Sequence, residues 1–207
     1  MPHHTQADIS RILNNFRHQS GRRTWGFDVF YCPIDLFEHI GEIVVLYESQ
    51  RDQQEIAMLN NIDKAVRIIN AIQIWSMPVE SKLRHHTIEV WRTGILLYLA
   101  RLFHLTNDIL NKADLIETIF HHRHAIPSNT SWSYATSWPL FQAGLLLTSE
   151  DHHKTWLRNE LHSNFQTLGC FHQKLAVDAL DQLWQANDDV LDPLLAIKSP
   201  FRRAIFY

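Results

Sequence analysis

An all-α fold, a single-domain bundle of seven or eight helices, is predicted by three observations on this sequence. Apolar residues recur at steps of three and four along most of the chain, the 3.6-residue period of a helix with one buried face. No stretch alternates apolar and polar residues over a useful length, so no half-buried strand is marked. Only 6 Gly and 7 Pro punctuate 207 residues, too few for the turn density of an all-β protein. That length suits one domain, and no repeat of fixed period divides it.

The elements follow in order. Asp8 or Ser10 can cap a first helix through Ile9, Ile12, Leu13 and Phe16 that ends before Gly21. Residues 1–21 are therefore expected as an N-terminal helix, 22–192 as the main helical domain and 193–207 as a tail. Residues 22–31 read as a connector. Pro33 then opens a helix with Leu36, Phe37, Ile40, Ile43, Val44 and Tyr47 on one face. The next carries Ile56, Leu59, Ile62, Val66, Ile69 and Ile72, and Pro78 stops it. The longest candidate, residues 79–104, places Leu83, Thr87, Val90, Trp91, Gly94, Ile95, Tyr98 and Leu102 on one stripe. Thr106, Asn107 and Asp108 restart the count as a cap, before Ile109, Ala113, Ile116, Ile119 and Phe120. Residues 123–137 form the one long irregular segment, a length often reserved for function. Ser137 can cap a further helix that tolerates Pro139 in its first turn. Residues 148–151 start another with Trp156, Leu157, Leu161, Phe165 and Leu168, ended by Gly169. A last helix uses Leu175, Ala179, Leu180, Leu183 and Trp184, and Asp192-Pro193 closes it.

Composition excludes several functions. Lys plus Arg is 19 against 22 for Asp plus Glu, a net charge of −3, whereas a duplex-binding module carries a basic excess. Two cysteines, Cys32 and Cys170, cannot make a disulfide framework or a four-thiolate zinc site. The N-terminus has no apolar signal region. The longest uncharged stretch, residues 124–149, has an apolar core at 138–147, far short of the roughly 20 residues a bilayer needs. An intracellular, cytoplasmic protein with reduced thiols and no membrane partner is expected, nuclear if regulatory. Two residue types are over-supplied, with 14 His and 7 Trp. They offer groups that exchange protons near neutrality and bulky walls for a ligand.

Trp138-Pro139-Leu140-Phe141-Gln142-Ala143-Gly144 resembles the most recognisable motif of the fungal-specific transcription factor domain, the helical C-terminal domain of fungal zinc-cluster regulators. Asp151-His152, Trp156-Leu157, Leu161, Leu168-Gly169, Ala176, Leu180 and Leu183-Trp184 are similar to the family's continuation. Ile95-Leu96-Leu97-Tyr98-Leu99 is similar to its Leu-Leu-Tyr-Leu helix, and residues 27–43 to an earlier segment. The resemblance covers roughly residues 27–184. It implies a helical body able to hold a small molecule or a partner. Departures accompany it: Leu145-Leu146-Leu147 stands where Cys-Glu-Ala is common, and His152 replaces an Arg. The six cysteines of the DNA-reading module are missing from these residues, which start midway through the usual regulator domain.

Several constellations can carry chemistry. Phe120-His121-His122-Arg123-His124 is the densest histidine cluster. It lacks a second-helix partner at a known metal-ligand spacing, so no metal and no cofactor is assigned. Proton transfer by His122 and His124 suits its place before the Trp-rich loop, against the blander reading of a solvated helix end where His⁺ favours the dipole. His86, one turn from Val90, is placed to face inward, and Tyr134 joins these as a candidate donor. Trp91, Tyr98 and Arg101 share a helix face, where Arg101 can clamp a carboxylate or phosphate or pair with an acid at the core edge. Trp132 and Tyr134 can line a pocket mouth or else plug the loop onto the bundle, and Trp138 and Phe141 are further candidate substrate-binding residues. Asp188-Asp189-Val190-Leu191-Asp192 spells a diphosphate-gripping acidic pattern, but Pro193 breaks the helix and no second metal motif follows. Cys32 has no adjacent His and makes a poor nucleophile.

Two functions follow. A regulator body without its DNA-reading half retains a pocket, and an apolar, Trp-lined pocket needs no cofactor to fold a substrate into a reactive conformer. The first expectation is thus a cofactor-independent cyclase or isomerase, pericyclic or Diels-Alder in type, acting on an apolar terpenoid or polyketide in fungal secondary metabolism. The alternative is a non-catalytic, regulator-like module that binds a metabolite or a full-length regulator. Its apolar tail Ile205-Phe206-Tyr207 would serve docking. The partner is a small apolar metabolite in the first case and a protein in the second. Neither involves direct contact with nucleic acid, and a homodimer is compatible with both.

Overall fold

The computed structural model describes residues 11, 32–51, 55–76, 81–148 and 151–185. Of the expected first helix only Arg11 is among them, and it is helical. The acidic pattern at 188–192 and the tail at 193–207 lie outside the described residues. Among the described residues there are eight helices and no strand, so the protein is all-α. The helices fall into two compact units, Met1–Ala125 and Ile126–Tyr207. The division lies just inside the irregular segment that periodicity marks at 123–137.

In the first unit, α1 (Ile34–Arg51), α2 (Glu55–Ile74) and α4 (Lys112–His124) each pack against α3 (Lys82–Leu102). Pro33 precedes the first turn of α1, where its missing N–H costs nothing, and its carbonyl accepts from Phe37 N–H at 2.9 Å. The Ser81 side chain caps α3 by accepting the N–H of Arg84 at 3.2 Å. The single stripe expected for α3 is wrong in extent. From Thr87 to Leu102 only Glu89, Arg92 and Tyr98 escape full burial, because neighbours stand on more than one side of this helix. Tyr98, placed inward by the period, is only half-buried, while Leu97 and Leu99 are fully enclosed.

The cap expected at residues 106–108 is displaced to Asn111. Its side-chain oxygen accepts the N–H groups of Ala113 and Asp114 at 3.1 and 3.4 Å. Thr106 instead closes a turn through its carbonyl, which accepts from Ile109 and Leu110. The connection between α3 and α4 runs over residues 103–111, and the two helices pack antiparallel as a hairpin, the start of α3 beside the end of α4.

The second unit holds α5 (Ser131–Tyr134), α6 (Ser137–Gly144), α7 (His153–Leu168) and α8 (Phe171–Gln185). The segment read as irregular contains α5, a single turn. Thr130 and Ser133 form a reciprocal capping box there, a short-range signal that the apolar period does not register. Ser128 Oγ donates to the buried Glu160 carboxylate at 3.2 Å, and Ser163 Oγ donates to Asn129 at 3.3 Å, fixing this segment to α7. Ser137 is the first residue of α6 rather than its cap. Thr136 takes the cap position without a side-chain capping bond, its hydroxyl donating back to the Ser133 carbonyl instead. At α7, Asp151 accepts the N–H of His153 at 2.8 Å, and Gly169 ends the helix at φ 65°, where a residue without Cβ has no steric penalty.

Gly144 is where α6, α7 and α8 converge. A Cβ on it would stand 2.8 Å from Leu157 Cδ2 and 2.9 Å from Leu180 Cδ1. Its carbonyl accepts the indole N–H of Trp184 at 3.0 Å. Arg158 adds a tie between α7 and α8, donating from Nε and Nη2 to Asp181 at 2.8 and 2.6 Å.

Candidate functional site

The open end of the α3–α4 hairpin gathers four imidazoles. His86 follows the first turn of α3 and His122 lies in the last turn of α4, so antiparallel packing sets them side by side. Their Nδ1 atoms are 2.9 Å apart. One ring must donate N–H and the other accept on a bare nitrogen, so the two hold opposite tautomers. His85 stands 5.6 Å from His86 and 5.7 Å from His122, ring centre to ring centre. His86 and His122 are 5.1 Å apart on that measure, and His121 is 5.2 Å from His122. His86 and His122 are half-buried, whereas His85 and His121 are exposed.

The neighbours that shift these groups are bases. Burial, then His86, His121 and His85, push His122 down to about 4. Burial, then His85, His121 and Lys82, lower His86 as well. A charged imidazole at His86 or His122 loses hydration and meets like charge, so both rings favour the neutral form, which keeps a bare ring nitrogen.

A pH dependence follows from this. An unfolded His122 takes a proton near pH 6.5, but the folded one resists until about pH 4. Between these values the unfolded chain binds more protons, so stability is fully present above pH 6.5 and is lost as pH falls toward 4. Discounted for solvent screening, the loss is about 1–2 kcal/mol. Denaturant midpoints measured from pH 8 to pH 4 will fall across this window, and His122→Gln will flatten the profile. An unchanged profile in that variant would refute the assignment.

The remaining sequence candidates are distributed as follows. His124 is exposed, on the far side of α4 from His122, because two helical residues turn the side chain by about 200°. Its ring lies 6.4 Å from that of Phe120. Trp91 and Arg101 are buried on α3, and the Arg101 guanidinium stands 5.6 Å from the Tyr98 ring centre, within cation–π range. Tyr134, Trp132, Trp138 and Phe141 belong to the second unit. The first three are half-buried and Phe141 is buried. Cys32 is buried, which pushes its thiol well above the ordinary range and against thiolate chemistry. His85 and the fully buried Arg123 were not among the residues singled out for chemistry, the pair His85-His86 being less informative in sequence than His121–His124. The adjacent pair His85-His86 was the available signal, but only the hairpin register brings it to His122.

Among the described residues, Asp151, His152 and His153 place one potential metal-ligand atom each within 4.8 Å of one another, which no three of the imidazoles at the hairpin end do. No helix among the described residues is long and apolar enough to cross a membrane.

No curated protein and no solved structure matches the chain. Residues 8–194 match the family described as fungal specific transcription factor domain. That match takes in residues of both units and the helix carrying the Trp138–Gly144 motif. The chain therefore belongs to the fungal specific transcription factor domain family.

Proposed function

We propose that this chain is a non-catalytic regulatory module, a helical body that binds a full-length regulator of its own family or a small apolar metabolite. The observation that carries this reading is the family match over residues 8–194. It favours a regulator-like role over the cofactor-free cyclase that the sequence first suggested. The side chains lend support. His86 and His122, two of the proposed proton carriers, are engaged with each other. Such a module acts where its regulator acts, in the cytoplasm or the nucleus.

Affinity purification of the tagged chain from fungal nuclei and cytosol tests this. Recovery of a regulator bearing a six-cysteine zinc cluster is the expected result. Conversion of a terpenoid or polyketide intermediate to an isomer of unchanged mass, faster with the protein than in buffer, would overturn it in favour of the cyclase.

A further inference from the structure

We infer that His86 and His122, with His85 and His121 beside them, form a site for a borderline transition-metal dication such as Zn2+, held across the open end of the α3–α4 hairpin. This goes beyond the regulatory reading and stands on the geometry of the four rings.

The donors suit such an ion. Imidazole nitrogen is a preferred ligand of Zn2+, Cu2+ and Ni2+, whereas Ca2+ and Mg2+ need oxygen ligands. Donor nitrogens are already together at His86 and His122; His85 and His121 stand at a compatible ring-centre distance and have to turn their nitrogens toward the ion. A tetrahedral zinc bound at about 2.0–2.1 Å through ring nitrogens holds imidazole centres roughly 5 Å apart. The three rings His85, His86 and His122 stand at 5.6, 5.7 and 5.1 Å from one another, and His121 is 5.2 Å from His122. Two nitrogens on one tetrahedral zinc are about 3.3 Å apart. The 2.9 Å between the Nδ1 atoms of His86 and His122 therefore has to open by only a few tenths of an ångström. The donor ring keeps its hydrogen by moving it to Nε2, which leaves Nδ1 bare for the metal.

Access is provided by the same arrangement. His85 and His121 are exposed and can turn toward an arriving ion, while half-buried His86 and His122 supply fixed ligands from two different helices. An ion bridging α3 and α4 closes the end of the hairpin opposite its connection, so binding adds to the stability of the folded first unit.

The rival arrangement is Asp151, His152 and His153. Its ligand atoms are already close, but all three come from one short stretch of chain, so an ion held there ties no two helices together, and the Asp151 carboxylate already accepts the His153 N–H at 2.8 Å.

Titration of the chelator-treated full chain with Zn2+ and with Co2+ tests the inference. The expected result is one ion per chain, a raised melting temperature and the intense visible absorption of tetrahedral Co2+. The double variant His86→Gln/His122→Gln should bind about tenfold more weakly or worse, while Asp151→Asn/His152→Ala should bind as the wild type does. Should the histidine variant fail to fold, imidazole NMR signals of the wild-type chain decide. Those of His85, His86, His121 and His122 should move first on adding Zn2+. Absence of binding, the weak absorption of octahedral Co2+, first perturbation of other histidines, or loss of binding confined to the Asp151/His152 variant would each overturn the assignment.

Discussion

Replacing Gly144 with valine is expected to destabilise the second unit by about 3 kcal/mol, an amount typical of forcing extra carbon atoms into a packed interior. Alanine at this position should already destabilise. In an exposed helix, glycine to alanine gains close to 1 kcal/mol from backbone entropy. Here the added Cβ would stand 2.8 and 2.9 Å from methyl groups of Leu157 and Leu180, closer than van der Waals contact permits. Both leucines have no exposed surface into which to retreat, and the Gly144 carbonyl is tied to the Trp184 indole, so the backbone cannot move aside without losing that bond. Crowding therefore outweighs the propensity gain. Denaturant unfolding of the Gly144→Ala and Gly144→Val variants measures the effect. A further Leu157→Ala change in the alanine background should recover part of the loss, since the two sites share one contact. An alanine variant as stable as the wild type would show that the convergence of the three helices is looser than described.

Truncating Leu97 to alanine should cost the first unit about 2–5 kcal/mol, the range for removing a fully buried leucine. The informative comparison is with Tyr98→Ala. The helical period alone puts Tyr98 on the inner stripe and Leu97 off it. In the structure Leu97 has no exposed surface, whereas Tyr98 is half-buried and in reach of the Arg101 guanidinium. Leu97→Ala should thus be the more damaging of the two. Thermal melts followed by circular dichroism read the difference directly. If Tyr98→Ala proved the costlier, the burial pattern around α3 would be wrong.

The α3 discrepancy marks the limit of periodicity. A stripe is an inference about a helix with one neighbour. Along Ile95-Leu96-Leu97-Tyr98-Leu99-Ala100 the apolar run is unbroken, which is the signature of a helix covered on several sides. That signal was present but competes with the stripe in any single window. Caps were legible in kind and misplaced in position. Polar clusters at 106–108 and at Ser137 look like helix starts, yet Asn111 and Thr136 hold those places. Several nearby side chains can each satisfy the first N–H groups, and packing selects among them. The turn Ser131–Tyr134 depends on a capping box with no apolar period, so it was hidden in a segment read as irregular.

The candidate site divides along the same line. Its chemistry was legible: the surplus of histidine, the dense group at His121–His124 and the inward position of His86 all follow from residue type and helical phase. Its assembly was not, because which residue of α3 faces which residue of α4 depends on the length of the turn between them. A shift of one residue in that turn rotates each helix face by about 100°.

All-α class, the rough order of helices and family membership are local properties, written in periods and short motifs that each segment carries alone. The meeting of His86 with His122, the enclosure of α3 and the crowding at Gly144 are non-local. Each arises from two or more helices distant in the chain competing for one volume, and that competition is resolved only when the chain is packed.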